Sequence, residues 1–408
     1  MTFWNQAIGI AAGTALGITV AVGIVASVGR ASTTRAREVH TPRLLPEAEG
    51  PITEVAMHYV PRLANVVRQP YGDFLRQLPN GVAVRLVVPD GISGRETEQL
   101  QQWVASVTPT LWARVTLVRS PGPITTWSKD RSLVTAPTGR GPAGAGPAGG
   151  RSAREGAAWL VSPAEPSSEW KERYNDWTTI ASLAESSAGA YERHVAPFDF
   201  DAGDFAVLDG AIVVDANLIE KNAHRGIRDV KTLKRRLEAW FDTDVVVLGR
   251  QPGDTPPHHL SMYMTPLDGK NVLVGDPAAA RAILGEDDFC PGPRSAETGK
   301  PLCADFSEAT QRKFDRAAEE LGRRGFNVVR IPNVPLEPKT YVAYTNGVYE
   351  TRADHRIAYV PQYDLPALDR VARETYEKLG WDVRPIRVAQ IYAYHGTIGC
   401  LVNVLARG

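Results

Sequence analysis

Five times along this chain, a run with helical periodicity leads into a short β-branched stretch and then into a Gly/Pro-rich loop. That alternation reads as an α/β fold. The copies are Leu63–Leu78 into Val82–Val88, Glu96–Val107 into Val115–Val118, Lys231–Phe241 into Val245–Leu248, Gln311–Arg324 into Asn327–Ile331, and Ala367–Leu379 into Trp381–Ile386. The last two align visibly, Glu320-Leu-Gly-Arg-Arg-Gly-Phe-Asn-Val-Val against Lys378-Leu-Gly-Trp-Asp-Val. Asp209-Gly210 and Asn346-Gly347 are hairpin signals between copies. Helix–strand units interrupted by hairpins argue for internal pseudo-repetition within one domain. The competing architecture, a doubly wound sheet, is not expected to hold so many hairpins. No Gly-rich phosphate fingerprint follows any of the strands either.

With 46 basic and 46 acidic residues, nothing in the charge points to a nucleic-acid partner. Ala7 to Val28 carries no charge over 22 residues, long enough to cross a membrane as a helix. Gly9, Gly13 and Gly17 give it a small-residue face. Residues 1–30 are therefore expected to be an apolar helix that targets the chain to a membrane, as an anchor or a signal segment. Met1 to Gln6 lacks the basic residues of a signal's leading region, and Arg30, Arg35 and Arg37 would keep the body cytoplasmic if the segment is an anchor. Residues 31–50 read as a linker, 51–408 as the folded domain, and 136–156 as a flexible Gly/Pro/Ala-rich insertion. Cys290 and Cys303 stand at a spacing a disulfide can close, which would leave Cys400 as the odd thiol of an exported protein; two reduced loop cysteines are the alternative.

The polar oddities gather in loops: Thr126-Trp127-Ser128-Lys129-Asp130, Asp199-Phe200-Asp201-Ala202-Gly203-Asp204, Pro257-His258-His259-Leu260-Ser261, and His395-Gly396-Thr397-Ile398-Gly399-Cys400. Carboxylates, a histidine and a thiol are the equipment of nucleophilic catalysis on a cation. His258-His259 has no partner pair at ligand spacing, so no metal is expected, and no cofactor.

In their order, these loops resemble the motifs of the guanidino-group-modifying superfamily of deiminases and amidinotransferases. The family pattern runs Trp-x-Arg-Asp, Glu-Gly-Gly-Asp/Asn, Gly-His-x-Asp, and a Cys near the C-terminus. This chain offers Trp127-Ser-Lys-Asp130, Asp201-Ala-Gly-Asp204, His258-His259-Leu-Ser261 and Gly399-Cys400. The resemblance covers about residues 50–408 and implies a five-bladed α/β-propeller (pentein) of ββαβ modules. It also implies hydrolysis of a guanidino compound, whether arginine, agmatine or peptidyl arginine, to a ureido product and ammonia. Cys400 would be the nucleophile, His259 the acid and base, Asp201 a catalytic carboxylate, and Asp130, Trp127, Asp204 and Ser261 would line the substrate. His395 is the second choice for the base, and Tyr341–Asn346 resembles a further site stretch of the family.

Four positions depart from the pattern. Ser261 replaces an aspartate, Asp201 a glutamate, and Lys129 an arginine; Gly399 stands before the nucleophile, where it is expected to loosen the loop. Alternatives therefore stand beside hydrolysis: a fold-retaining binding or scaffold protein, amidino transfer to an amine, and a thiol hydrolase of amides.

Overall fold

The computed structural model describes residues 43–137, 156–166, 173, 175–285, 289–295, 298–336, 339–353 and 355–408. The apolar run 7–28 and most of the 136–156 insertion lie outside the described residues. Among the described residues no helix is long and apolar enough to cross a membrane.

In the first repeat, Val67, Tyr71, Phe74, Leu75 and Leu78 recur at helical spacing and are all buried, which gives α1 (Ala64–Gln77) its inward face. It joins β1 (Ile52–His58) to the parallel strand β2 (Ala83–Pro89). Helix α2 (Gly94–Val107) begins at a capping box, with the Glu96 amide donating to Ser93 and the Ser93 amide donating to Glu96. It leads to β3 (Val115–Ser120), parallel to β2. A second sheet holds β4 (Leu133–Val134), β5 (Ala158–Ser162), α3 (Asp176–Glu185) and β6 (Tyr191–Val195). The third holds β7 (Ala206–Leu208), β8 (Ala211–Asp215), α4 (Leu218–Asn222), α5 (Val230–Phe241) and β9 (Val245–Leu248). The fourth holds β10 (Met264–Pro266), β11 (Asn271–Asp276), α6 (Pro277–Leu284), α7 (Glu308–Arg323), β12 (Asn327–Leu336) and β13 (Thr340–Ala343). The fifth holds β14 (Val348–Arg352), β15 (His355–Gln362), α8 (Pro366–Lys378) and β16 (Asp382–Arg387). Finally α9 (Ile398–Leu401) leads into β17 (Val402–Arg407), which returns to pair antiparallel with β1.

Each of these five sheets contains an antiparallel pair and a parallel pair joined through a helical crossover. The repeats read from sequence map onto them unevenly: the first two copies share one sheet, and β4–β6 belongs to none of the five copies. That sheet was hard to see because β4 is two residues long and Tyr191-Glu-Arg-His-Val195 lacks an apolar pattern. Asp209-Gly210 does form the tight turn between β7 and β8, with φ of 50° and 76°. Asn346-Gly347 does not form a hairpin, because β13 pairs with β12 and β14 with β15. It lies instead in the connection between two sheets.

That placement follows a rule of this chain. Every connection from one sheet to the next carries one residue of the candidate site: Asp130 between β3 and β4, Asp201 between β6 and β7, His259 between β9 and β10, Asn346 between β13 and β14, and Cys400 between β16 and β17.

Candidate active site

Cys400 is held by a loop stitched to its neighbours through the backbone. Thr397 accepts from the Cys400 amide, and the Gly399 amide donates to the Asn346 carbonyl at 3.1 Å. The Thr397 hydroxyl donates to Asn346 Oδ1 at 2.7 Å. From the other side, the Lys129 amide donates to the Cys400 carbonyl and the Ser128 hydroxyl to that of Leu401 at 2.7 Å. A Cβ on Gly399 would lie 2.8 Å from Asn346 Oδ1 and 2.9 Å from the Gly347 carbonyl oxygen. The expectation that Gly399 loosens this loop is therefore corrected: the glycine is what allows the two loops to close. Trp127 presses its ring on Gly396, where a Cβ would come within 2.6 Å, so its side chain supports the loop leading to Cys400.

Cys400 Sγ lies 3.9 Å from His259 Nδ1 and 3.3 Å from Asn346 Nδ2. His259 Nδ1 is 3.9 Å from Asp130 Oδ1, and its Nε2 is 3.7 Å from Asp201 Oδ2. These separations exceed hydrogen-bond length, and His259 Nε2 and Asp130 Oδ1 are buried with no hydrogen-bond partner among the described residues. Gly203 is what lets the imidazole in, since a Cβ there would sit 2.5 Å from the ring. Next door, His258 adopts φ of 78° and bonds the His395 carbonyl through Nε2 at 2.8 Å. His395 Nδ1 faces the Thr340 hydroxyl at 2.8 Å, so this alternative base is tied into the loop framework.

Three cations are set into the carboxylates. Arg131 contacts Asp201 Oδ1 at 2.6 Å, Lys221 contacts Asp201 Oδ2 at 2.9 Å and Asp204 Oδ2 at 2.6 Å, and Arg173 pairs with Asp130 Oδ2 and reaches Asp201 Oδ1 at 3.4 Å. Asp204 also accepts from the Asp201 amide at 2.8 Å, so its carboxylate shapes the turn that presents Asp201. The Ser261 hydroxyl accepts from Asn346 Nδ2 at 2.9 Å.

Burial opposes the charge on His259, but Asp130, Asp201 and Cys400 overcome it and raise its pKa to about 10. His259 is thus an imidazolium at neutral pH. Burial also opposes ionisation of Asp201, yet Lys221, Arg173, His259 and Arg131 hold that carboxyl well below the usual range. At Asp130 burial wins and raises the pKa, although Arg173 and His259 pull against it. Burial and the adjacent His259 push His258 well below the ordinary histidine value.

Asp130, His259 and Cys400 present ligand atoms within 4.8 Å of one another, a donor set that zinc accepts. A ligating histidine must be unprotonated, however, and the proton affinity of His259 works against a metal there. A cavity of about 80 Å³ adjoins the centre, walled in part by Lys129, Ser132, Ser261, Gly399 and Asn403.

The fold has solved counterparts: it is shared with agmatine deiminases. Among solved structures, agmatine deiminase of C. jejuni matches at 15% identity with a TM-score of 0.62, over 90% of this chain and 96% of that one. A variant of the same enzyme with substrate bound matches at 14% identity and TM-score 0.62, over 90% and 96%. Agmatine deiminase of Enterococcus faecalis matches at 14% and 0.59, over 90% and 98%. No protein-family model and no curated protein sequence matches this chain.

Cys400, His259, Asp130 and Asp201, named from sequence, converge. Trp127, Asp204 and Ser261 stand beside them but turn their side chains to other protein groups. Sequence reasoning missed Arg131, Arg173 and Lys221 and gave Asn346 only as part of a stretch. Arg131 follows Asp130 directly, which was the available signal; nothing local distinguishes Arg173 or Lys221 from surface cations.

Proposed function

We propose that this protein hydrolyses a guanidino compound to a ureido compound and ammonia, with Cys400 as nucleophile and His259 as acid and base. The observation that carries the reading is a buried centre with unmet capacity: Asp130 Oδ1 and His259 Nε2 have no hydrogen-bond partner among the described residues, beside a thiol 3.9 Å from the same imidazole. A guanidinium is planar and always charged, and its N–H groups suit paired carboxylates. Asp130 and Asp201 supply that grip.

The Cys400 thiolate attacks the guanidinium carbon, giving a tetrahedral adduct. His259, already an imidazolium, donates its proton to the departing nitrogen, and ammonia leaves an S-alkylthiouronium. The neutral imidazole then takes a proton from water, which adds to the same carbon. Expulsion of the thiolate yields the ureido product. The likeness to agmatine deiminases supports the fold on which such a site is built, and five connections each lending one residue support a five-bladed propeller arrangement of 51–408. Ammonia release from agmatine, arginine and a peptidyl arginine, measured beside Cys400→Ala, tests the reaction and the substrate together.

A second reading, a guanidine-binding protein without turnover, is favoured by one observation: the Ser261 hydroxyl is committed to Asn346 and brings no charge. On either reading, the Cys290–Cys303 disulfide supports an oxidising compartment for the domain, with residues 7–28 as the membrane-targeting segment.

A further inference from the structure

The proposed grip on a substrate guanidinium already holds a guanidinium. Arg173 is buried, pairs with Asp130 Oδ2 and reaches Asp201 Oδ1 at 3.4 Å. Those are the two carboxylates placed beside His259 and Cys400. Among the described residues, the carboxylates Asp130, Asp201 and Asp204 are ion-paired with Arg131, Arg173 and Lys221, and the His259 imidazolium adds a further positive charge beside Asp130 and Asp201. Arg131 and Lys221 pair with Asp201 and Asp204, and Arg173 is the guanidinium that pairs directly with Asp130. An incoming guanidinium would be a surplus charge in a buried site, which is strongly disfavoured. It enters by exchange with Arg173 rather than by addition.

Resting on the deiminase-type reading of this site, we infer that Arg173 is an internal occupant of the guanidinium subsite, a built-in competitor that a substrate must displace. Arg173 is then a specificity device: it admits ligands that outbid a tethered guanidinium, through contacts beyond the guanidino group, and rejects simple guanidines. If the self-bound state leaves the subsite open in about one molecule in ten, an incoming guanidine binds about tenfold more weakly than the bare carboxylates would allow.

The test uses the full chain, with methylguanidinium as probe. Calorimetric titration of Arg173→Gln is expected to show binding about tenfold or more tighter than wild type. Its thermal midpoint should fall relative to wild type and recover on adding low-millimolar methylguanidinium, but not ammonium chloride at the same ionic strength. Arg173→Lys keeps the cation and loses the planar fork, so it should lie between the two and covers the case in which the glutamine variant does not fold. Folded variants that bind methylguanidinium no better than wild type, with no selective recovery, would overturn the inference and make Arg173 a fixed counter-ion. Ammonia release is a separate readout. Recovery without turnover keeps the internal occupant and sinks the hydrolase; turnover without recovery does the opposite.

Discussion

His259 keeps its proton through the neutral range because Asp130, Asp201 and Cys400 outweigh its burial. Its folded pKa, raised from 6.5 to about 10, gives the sign of a pH effect. The contribution to stability is complete below about pH 6.5 and is lost as pH rises through about 10. Denaturant midpoints measured across that window should fall, and His259→Gln should flatten that part of the slope. The rate should fall on the same alkaline limb, since ammonia needs the imidazolium's proton to leave. Ser261→Asp returns a carboxylate beside Asn346 and Cys400. It should strengthen guanidine binding by roughly 1.5–3 kcal/mol, the worth of a charge-assisted hydrogen bond, read by calorimetry. Unchanged affinity would mean that position 261 does not face the ligand.

Among the elements, two glycines decide whether the site can close. Alanine at Gly203 would put a Cβ 2.5 Å from the His259 ring, and alanine at Gly399 would put one 2.8 Å from Asn346 Oδ1. Each substitution should destabilise by about 1–3 kcal/mol in thermal unfolding and lower kcat more than it raises KM, because it shifts the acid or the nucleophile. The helix spans were readable in the sequence, since faces such as Val67, Tyr71, Phe74 and Leu75 repeat at helical spacing. The β4–β6 sheet was not, because its burial comes from neighbouring elements and not from its own alternation. Asn346-Gly347 misled for a physical reason: the dipeptide that suits a tight turn here serves close loop packing beside Cys400. In the candidate site, the convergence of Cys400, His259, Asp130 and Asp201 was legible because a thiol, a histidine and carboxylates stand out in inter-strand loops. The cations were not, since Arg173 and Lys221 reach the carboxylates only through long-range folding.

At the scale of the molecule, β17 on β1 joins the two ends of the described domain and fixes the Cys400 loop against the Trp127–Asp130 loop. Glu350 locks this closure: fully buried, it accepts from the Ile52 amide at 3.0 Å, Tyr359 at 2.8 Å and Arg352 at 2.6 Å. Glu350→Ala leaves those donors unmet and should reduce stability by about 1–3 kcal/mol or more in denaturant titration. An unchanged midpoint would show that the closure does not depend on it. Whether the five connections assemble a deiminating centre is decided by ammonia and ureido-product release from agmatine, arginine and a peptidyl arginine, with Cys400→Ala in parallel. Turnover of at least one of them by the parent protein, and none by the variant, is expected. Ammonia release that survives the substitution, or a folded parent that turns over none of the three, would contradict it.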